Sequence, residues 1–347
     1  MTPPRHILQA LTLAAALAAP LAASAALAEA PQPPLPREAV PAPAAPDPRE
    51  ALARMAERAE AGDAEAQYRL SLLHERGFDS IPADSVRARS LLERSARGGY
   101  LPAQNLLGFT LIREGEPDLG LQWIERAGMA GDPKAQSNIG YLLVAGEGVE
   151  RDPEKGAWWL AQAAANGVPQ AASMLGDLYA EGIGVGQDTA KADSLYRTAF
   201  LAGIPDAAVK SESLRTSPGT PAERLDRAIL YYTHGAPALG VRLLNTLVGP
   251  SEATEPHIRG AASALLGDAY TRAQGVPYSH ELSTSHYLEA ARLGNPAAEF
   301  IIAELLEIFP DAVDDPSLSA DELRRRAAAP GVLTAEDASR RLLNPGT

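Results

Sequence analysis

The stretch from Gly131 to Gly167, GDPKAQSNIGYLLVAGEGVERDPEKGAWWLAQAAANG, decides the fold. With Ala135 as position zero, Ile139, Leu142 and Leu143 follow at four, seven and eight. At 100° per residue these four share one narrow arc, the apolar stripe of an amphipathic helix. Gly146-Glu147-Gly148 then breaks that helix, because glycine takes the left-handed conformation that ends one at little cost. A second helix follows with its own stripe, Trp159, Ala163 and Ala164, and Gly167 closes the unit. The stretch therefore predicts two helices, A and B, folded back through a glycine-rich turn.

The same order recurs on both sides. The closing glycines Gly62, Gly99, Gly131, Gly167 and Gly203 are separated by 37, 32, 36 and 36 residues. Four residues after each comes a small residue: Ala66, Ala103, Ala135, Ala171 and Ala207. An aliphatic followed by a tiny residue comes next, as Leu70-Ser71, Leu107-Gly108, Ile139-Gly140 and Leu175-Gly176, and the pattern returns at Leu266-Gly267, closing at Gly294. Two helices can approach closely at that crossing only if one lacks a side chain there. A fixed period of this length predicts an all-α solenoid of stacked helix pairs. The 91 residues from Gly203 to Gly294 exceed two units and fall short of three, which predicts an irregular insertion.

Certain residues carry a resemblance. Gly148-Val149, Asp152, Lys155, Ala157 and Trp159, ending Ala163 to Ala165 and Gly167, resemble the signature of the Sel1-like repeat family, relatives of tetratricopeptide repeats. Gly184-Val185, Asp188, Lys191 and Ala192, ending at Gly203, are a second match in phase with the first. The resemblance covers about 59–203 well and 258–309 fairly, and it implies a right-handed α/α superhelix. The unit before Gly131 lacks the four-residue glycine turn, and the one ending at Gly294 lacks the Asp and Lys.

The resulting organisation is 1–28 signal peptide, 29–48 Pro-rich linker, 49–203 repeats, 204–257 degenerate repeat with an insertion, 258–309 repeat and partial repeat, and 310–347 C-terminal helical cap. Arg5, the apolar run from Ile7 to Leu21, and Ala26-Leu27-Ala28 before Glu29 have the form of a secretory signal. The alternative is an uncleaved inner-membrane anchor over 7–28. Residues 29–48 include eight prolines and read as a stiff spacer or a segment read by a partner. Within the insertion, 222–234 and 237–248 have helical spacing. Beyond Pro310, Ser319 with Glu322 and Thr334 with Asp337 start two short helices.

Composition narrows the chemistry. The 347 residues contain no cysteine, which excludes disulfides, thiolate metal sites and a cysteine nucleophile. The absence of cysteine also rules out lipid acylation at a lipobox. A formal net charge of −13, becoming −14 when Arg5 leaves with the signal, disfavours nucleic acid and anionic lipid. Low aromatic content suits helices over sheets. His280 and His286 are six residues apart, and the zincin pattern requires four. His286 instead falls four before Ala290, the place held by Leu92, Trp123, Trp159 and Leu195, which is a packing position. No serine elbow, Ser-x-x-Lys pair or phosphate loop is present. Asp152 and Asp188 recur by repeat phase and read as turn or N-cap residues, with Lys155 and Lys191 one turn on and able to pair with them.

Binding remains. In such arrays the A helices line a concave surface, so positions two, six and nine should face it: Tyr68, Asn105, Phe109, Ser137, Tyr141 and Asp177. The alternative for each aromatic is packing against the next repeat. The structural residues are Ala66, Gly108, Ala135, Gly140, Gly148, Asp152, Lys155, Trp159, Ala171, Gly176, Gly184, Asp188, Lys191 and Gly267. Members of the resembled family act as adaptors. The resemblance thus implies a non-enzymatic, periplasmic scaffold without cofactor or metal, holding an envelope protein or peptide segment, with a sensor domain or exopolysaccharide machinery as candidate partners. Alternatives are a glycan- or peptidoglycan-binding module, with Tyr68, Phe109 and Tyr141 as platforms, and a carboxylate-based cell-wall hydrolase.

Overall fold

In a computed structural model of the chain, residues 48–78, 81–249, 254–309 and 318–327 are described. The signal segment, the linker up to Asp47, Thr334 and Asp337 lie outside them. The described residues form sixteen α-helices and no strand beyond the isolated bridge between Phe78 and Ile81. No helix among them is long and apolar enough to cross a membrane. The chain divides into two compact bodies at Leu214 and Arg215.

The first body contains α1 (Pro48–Glu60), α2 (Ala64–Arg76), α3 (Ser85–Arg97), α4 (Leu101–Arg113), α5 (Pro117–Met129), α6 (Pro133–Ala145), α7 (Pro153–Ala165), α8 (Pro169–Glu181), α9 (Thr189–Leu201) and α10 (Pro205–Ser213). From α2 to α9 they pack as antiparallel A/B pairs, each pair stacking on the next, and the A helices α6 and α8 also touch directly. Local sequence fixes the starts. The side chains of Asp63, Asp84, Asp132, Asp152 and Asp188 accept backbone N–H groups of the first turns of α2, α3, α6, α7 and α9, each such cap contributing about 1 kcal/mol. Proline occupies the first turn of α4 to α8, where its missing N–H has no helical partner to lose.

The tiny residue sits at the crossing within each pair. A Cβ on Gly140 would lie 2.6 Å from Leu160 Cγ, and one on Gly176 would lie 2.7 Å from the Tyr196 ring. Gly108 is pressed against Ile124 in the same way. The second glycine of the long turn has a different role: Gly184 abuts the backbone of Pro153 and Glu154, at the start of the preceding B helix, with φ of +68°. Both the space and the backbone conformation require glycine there. The core runs along the stack as successive clusters: Ile124, Ile139, Leu142, Leu143 and Trp159 form one, and Leu160, Leu175 and Leu178 another.

The second body contains α11 (Pro221–Thr233), α12 (Pro237–Asn245), α13 (Pro256–Arg272), α14 (His280–Arg292), α15 (Pro296–Ile308) and α16 (Ala320–Ala327). Its pairs are α11/α12, α13/α14 and α15/α16. Residues 204–257 hold three helices where the spacing predicts two. α10 packs on α9 and completes the first body, and α11/α12 is a short pair of its own. In that pair Gly235 makes the tight A-to-B turn with φ of +99°, matching Gly115 at +91° between α4 and α5. Gly267 faces the Tyr287 ring, a Cβ there reaching it at 2.9 Å. Ser319 accepts the Glu322 N–H at the start of α16, which packs on α15 with Leu323 and Ala327 buried.

Candidate partner-binding face

The A-helix face of the first body is built from repeat positions two, three and six. Side chains there touch from one A helix to the next: Asn138 Nδ2 donates to Asn105 Oδ1 at 3.1 Å, and Lys210 Nζ donates to Asp177 Oδ2 at 2.7 Å. Position six runs Leu72, Phe109, Tyr141 and Asp177 along α2, α4, α6 and α8. Leu72 is 41% exposed and Tyr141 40%.

The predicted residues divide into three groups. Tyr141 is open, and its hydroxyl donates to Glu147 Oε1 at 2.5 Å, which with partial desolvation raises its pKa. Asn105 and Ser137 are half-buried beside it. Tyr68 and Phe109 turn partly into the core. Tyr68 packs on Tyr100 with ring centroids 5.2 Å apart, beside Leu92 and Leu107, and burial raises its pKa. Phe109 packs on the Ile124–Trp159 cluster. The three aromatics therefore do not form a row of open platforms. Asp177 belongs to a polar knot: it accepts from Tyr196 Oη at 2.8 Å and from Lys210, whose ammonium lies 5.6 Å from the Tyr196 ring. Burial, then the bond to Asp177, holds the Tyr196 phenol well above its usual range.

The repeat-defining polar residues are accounted for by packing and capping. Asp152 and Asp188 accept the N–H groups of Lys155 and Lys191. The lysine side chains go elsewhere than the predicted Asp pairing: Lys155 Nζ meets Glu125 at 2.5 Å on the preceding B helix, and Lys191 Nζ meets Tyr179 Oη at 2.6 Å, over its ring. Trp159 is buried in the first core cluster, while Trp158 lies edge-on to it and half exposed on the B-helix side. Ala66, Ala135 and Ala171 are buried where A helices meet their neighbours.

His286 stacks on Tyr270, centroids 5.6 Å apart, and burial lowers its pKa. Counting from the N-cap, it shares its place with Trp159 seven after Asp152 and Leu195 seven after Asp188. Seven after Asp84 is Leu91, so Leu91 and not Leu92 is the equivalent in α3. No group of three or more metal-ligating side chains occurs among the described residues.

Sequence reasoning missed two features. Leu72 has the exposure expected of a contact residue and was legible from its phase alone. The second is a buried glutamine at position one. Gln67, Gln104 and Gln136 donate Nε2 to Ala59, Ala96 and Gly128 carbonyls at 2.9, 3.0 and 3.0 Å, each eight residues back at the end of the preceding helix. These bonds fasten unit to unit.

The family model described as Sel1 repeat matches residues 64–100, 101–132, 133–168, 169–203 and 260–295, over half of the chain. No match was found among curated proteins. Among solved structures, the chain is similar to c5321, a protective antigen of uropathogenic Escherichia coli strains displaying an SLR fold. Identity to it is 25% and TM-score 0.42, covering 80% of this chain and 56% of that one. The chain thus spans little more than half of that relative's length. It is also similar to a Sel1 repeat protein from Oxalobacter formigenes, at 26% identity and TM-score 0.40, covering 85% and 80% of the two chains. Sel1 repeat proteins generally serve as protein–protein interaction scaffolds. With five matched units and helix pairs that stack in phase, the chain belongs to the Sel1 repeat family.

Proposed function

We propose that the protein is an exported scaffold of the bacterial cell envelope, acting without catalysis and holding a protein partner against the A-helix face of its first body. The observation that carries this reading is the exposure of Leu72 and Tyr141 at one repeat position, on the face where neighbouring A helices meet. Large apolar side chains left open in register are the material of binding hot spots. Other large apolar side chains of this body are exposed as well, Trp158 among them on the B-helix side, but Leu72 and Tyr141 share one repeat position on the A-helix face. Export rests on the signal-like segment 1–28 and periplasmic residence on the lack of cysteine together with that signal.

The test has two parts. N-terminal sequencing of the protein from a periplasmic extract should begin at Glu29, whereas a start at residue 1 in the membrane fraction contradicts export with cleavage. Affinity purification from cells, followed by mass spectrometry, should yield one partner lost in the Leu72→Ala/Tyr141→Ala variant. A partner retained by that variant contradicts the assignment of the face.

A further inference from the structure

We propose that the A-helix face of the first body holds an extended peptide in a fixed direction, its acidic end over Arg76 and Arg113 and its basic end over Glu147 and Glu181. This rests on the reading of that face as the binding surface, and adds the chemistry and polarity of the occupant.

The charges follow from repeat phase. Position ten lies one helical turn beyond position six on the same face, and along α2, α4, α6 and α8 it runs Arg76, Arg113, Ala145, Glu181. Arg76, Arg113 and Glu181 are exposed. The exposed Glu147 joins the acidic end through its bond from Tyr141. Charge on the face therefore changes sign along the array. Neighbouring ions moderate both ends: the exposed Glu75, at position nine beside Arg76, offsets part of that charge, so Arg113 carries most of the basic end. Lys210 offsets Asp177, and Arg151, bonded through Nε to the Val144 carbonyl, adds a cation near the end of α6, which leaves Glu147 and Glu181 to carry the acidic end. A neutral glycan has no use for such a gradient, whereas a peptide with oppositely charged ends matches it.

Between the two ends lies a group suited to main chain. The Asn105–Asn138 bond uses one amide donor and one acceptor. Each side chain keeps a further amide group of the opposite kind, the pair of functions that a peptide unit complements. Leu72 and Tyr141, exposed at position six of α2 and α6, offer apolar contact for side chains of the bound segment. Packed helices lie about 8–10 Å apart, so three steps from α2 to α8 cover roughly 30 Å, the length of about nine extended residues.

The experiment is selection of a random peptide library of about twelve residues, displayed on phage, against the full-length mature protein. The best sequence is then synthesised for fluorescence anisotropy. Enriched peptides should carry acidic residues at one end and basic residues at the other, with aliphatic or aromatic residues between. Arg76→Glu/Arg113→Glu and Glu181→Lys should each weaken the synthetic peptide about tenfold at low salt, with the difference shrinking in 0.5 M salt. A photoreactive group at the acidic end should label α4, and one at the basic end α8. Peptides lost on Tyr141→Ala but indifferent to both charge reversals overturn the polarity and leave the binding face standing. Peptides indifferent to Tyr141→Ala, or no enrichment at all, overturn the binding face as well.

Discussion

The two bodies solve one fastening problem differently. In the first, a neutral glutamine at position one reaches back eight residues to a helix-end carbonyl, as Gln67, Gln104 and Gln136. In the second, the same position in α15 is Glu299, almost wholly buried, and a carboxylate cannot donate. Arg326 of α16 supplies the donor instead. It pairs with Glu299 and bonds the Ala291 carbonyl at 3.2 Å, eight residues before Glu299. A link made in the first body between an A helix and the helix just before it thus depends in the second on a helix twenty-odd residues downstream. Position six differs as well. In the first body it exposes Leu72 and Tyr141, while in the second Asp268 is buried, accepting from Tyr232 Oη at 2.8 Å and Arg272 Nε at 2.6 Å, and Glu304 is held by Arg324. Position six is thus open at Leu72 and Tyr141 in the first body, where Phe109 and Asp177 already turn to internal contacts, and is taken up by internal bonds at both Asp268 and Glu304 in the second.

The largest effect expected is at Arg326. Arg326→Ala leaves a buried carboxylate without its cation, which costs about 3–5 kcal/mol, read as a lower urea midpoint. Gln136→Ala, losing one neutral hydrogen bond, should cost only about 1 kcal/mol. The double variant Glu299→Gln/Arg326→Ala should regain most of the loss, because glutamine restores the device of the first body. A double variant no better than Arg326→Ala would break the parallel.

Next come the crossings that the bodies share. Gly176→Leu and Gly267→Leu each drive a side chain into the ring of Tyr196 or Tyr287, and each should lose about 3 kcal/mol through overpacking. Near-native melting of either variant would contradict a close helix crossing at that glycine.

Glu299 also makes a pH prediction. Burial raises its pKa more than Arg326 lowers it. A carboxyl with a folded pKa above its unfolded value adds stability that is full below the unfolded value, about 4.3, and is lost as pH rises through the folded one. Glu299→Gln should therefore flatten that decline and leave stability at pH 7 equal or higher. A clear loss at pH 7 would show that the ion pair outweighs its desolvation.

The smallest change concerns the long turn. Gly146 and Gly182 take the left-handed conformation after α6 and α8, but after α13 the residue is Ala273, with φ of 55°. Ala273→Gly should stabilise the second body by about 1 kcal/mol, a shift visible in a thermal melt, and Gly182→Ala should cost a similar amount.

Most of the architecture was legible because its cause is periodic. The glycines at 62, 99, 131, 167 and 203 recur where the chain must reverse, and each has a positive φ. The tiny residue at 140 or 176 marks a helix crossing that no larger side chain permits. The interval 204–257 was less legible because α10 is an A helix without its own B helix, so the phase restarts at Pro221 with nothing in the spacing to announce it. The binding face was legible only to the level of position. Phase says which residues of an A helix share a face, but not that Tyr68 would tilt onto Tyr100 or Phe109 onto the Ile124 cluster, since those choices depend on neighbouring units. The Glu299–Arg326 pairing was hidden for the same reason, joining positions whose separation is not a repeat period.

The central claim is that the open A-helix face of the first body meets the partner and the second body does not. Photoreactive residues placed singly at Tyr141 and at Tyr278, both large and well exposed, test it in living cells. The account predicts one dominant protein adduct from position 141 and none of that identity from position 278. The same adduct from both positions, or from 278 alone, would contradict it.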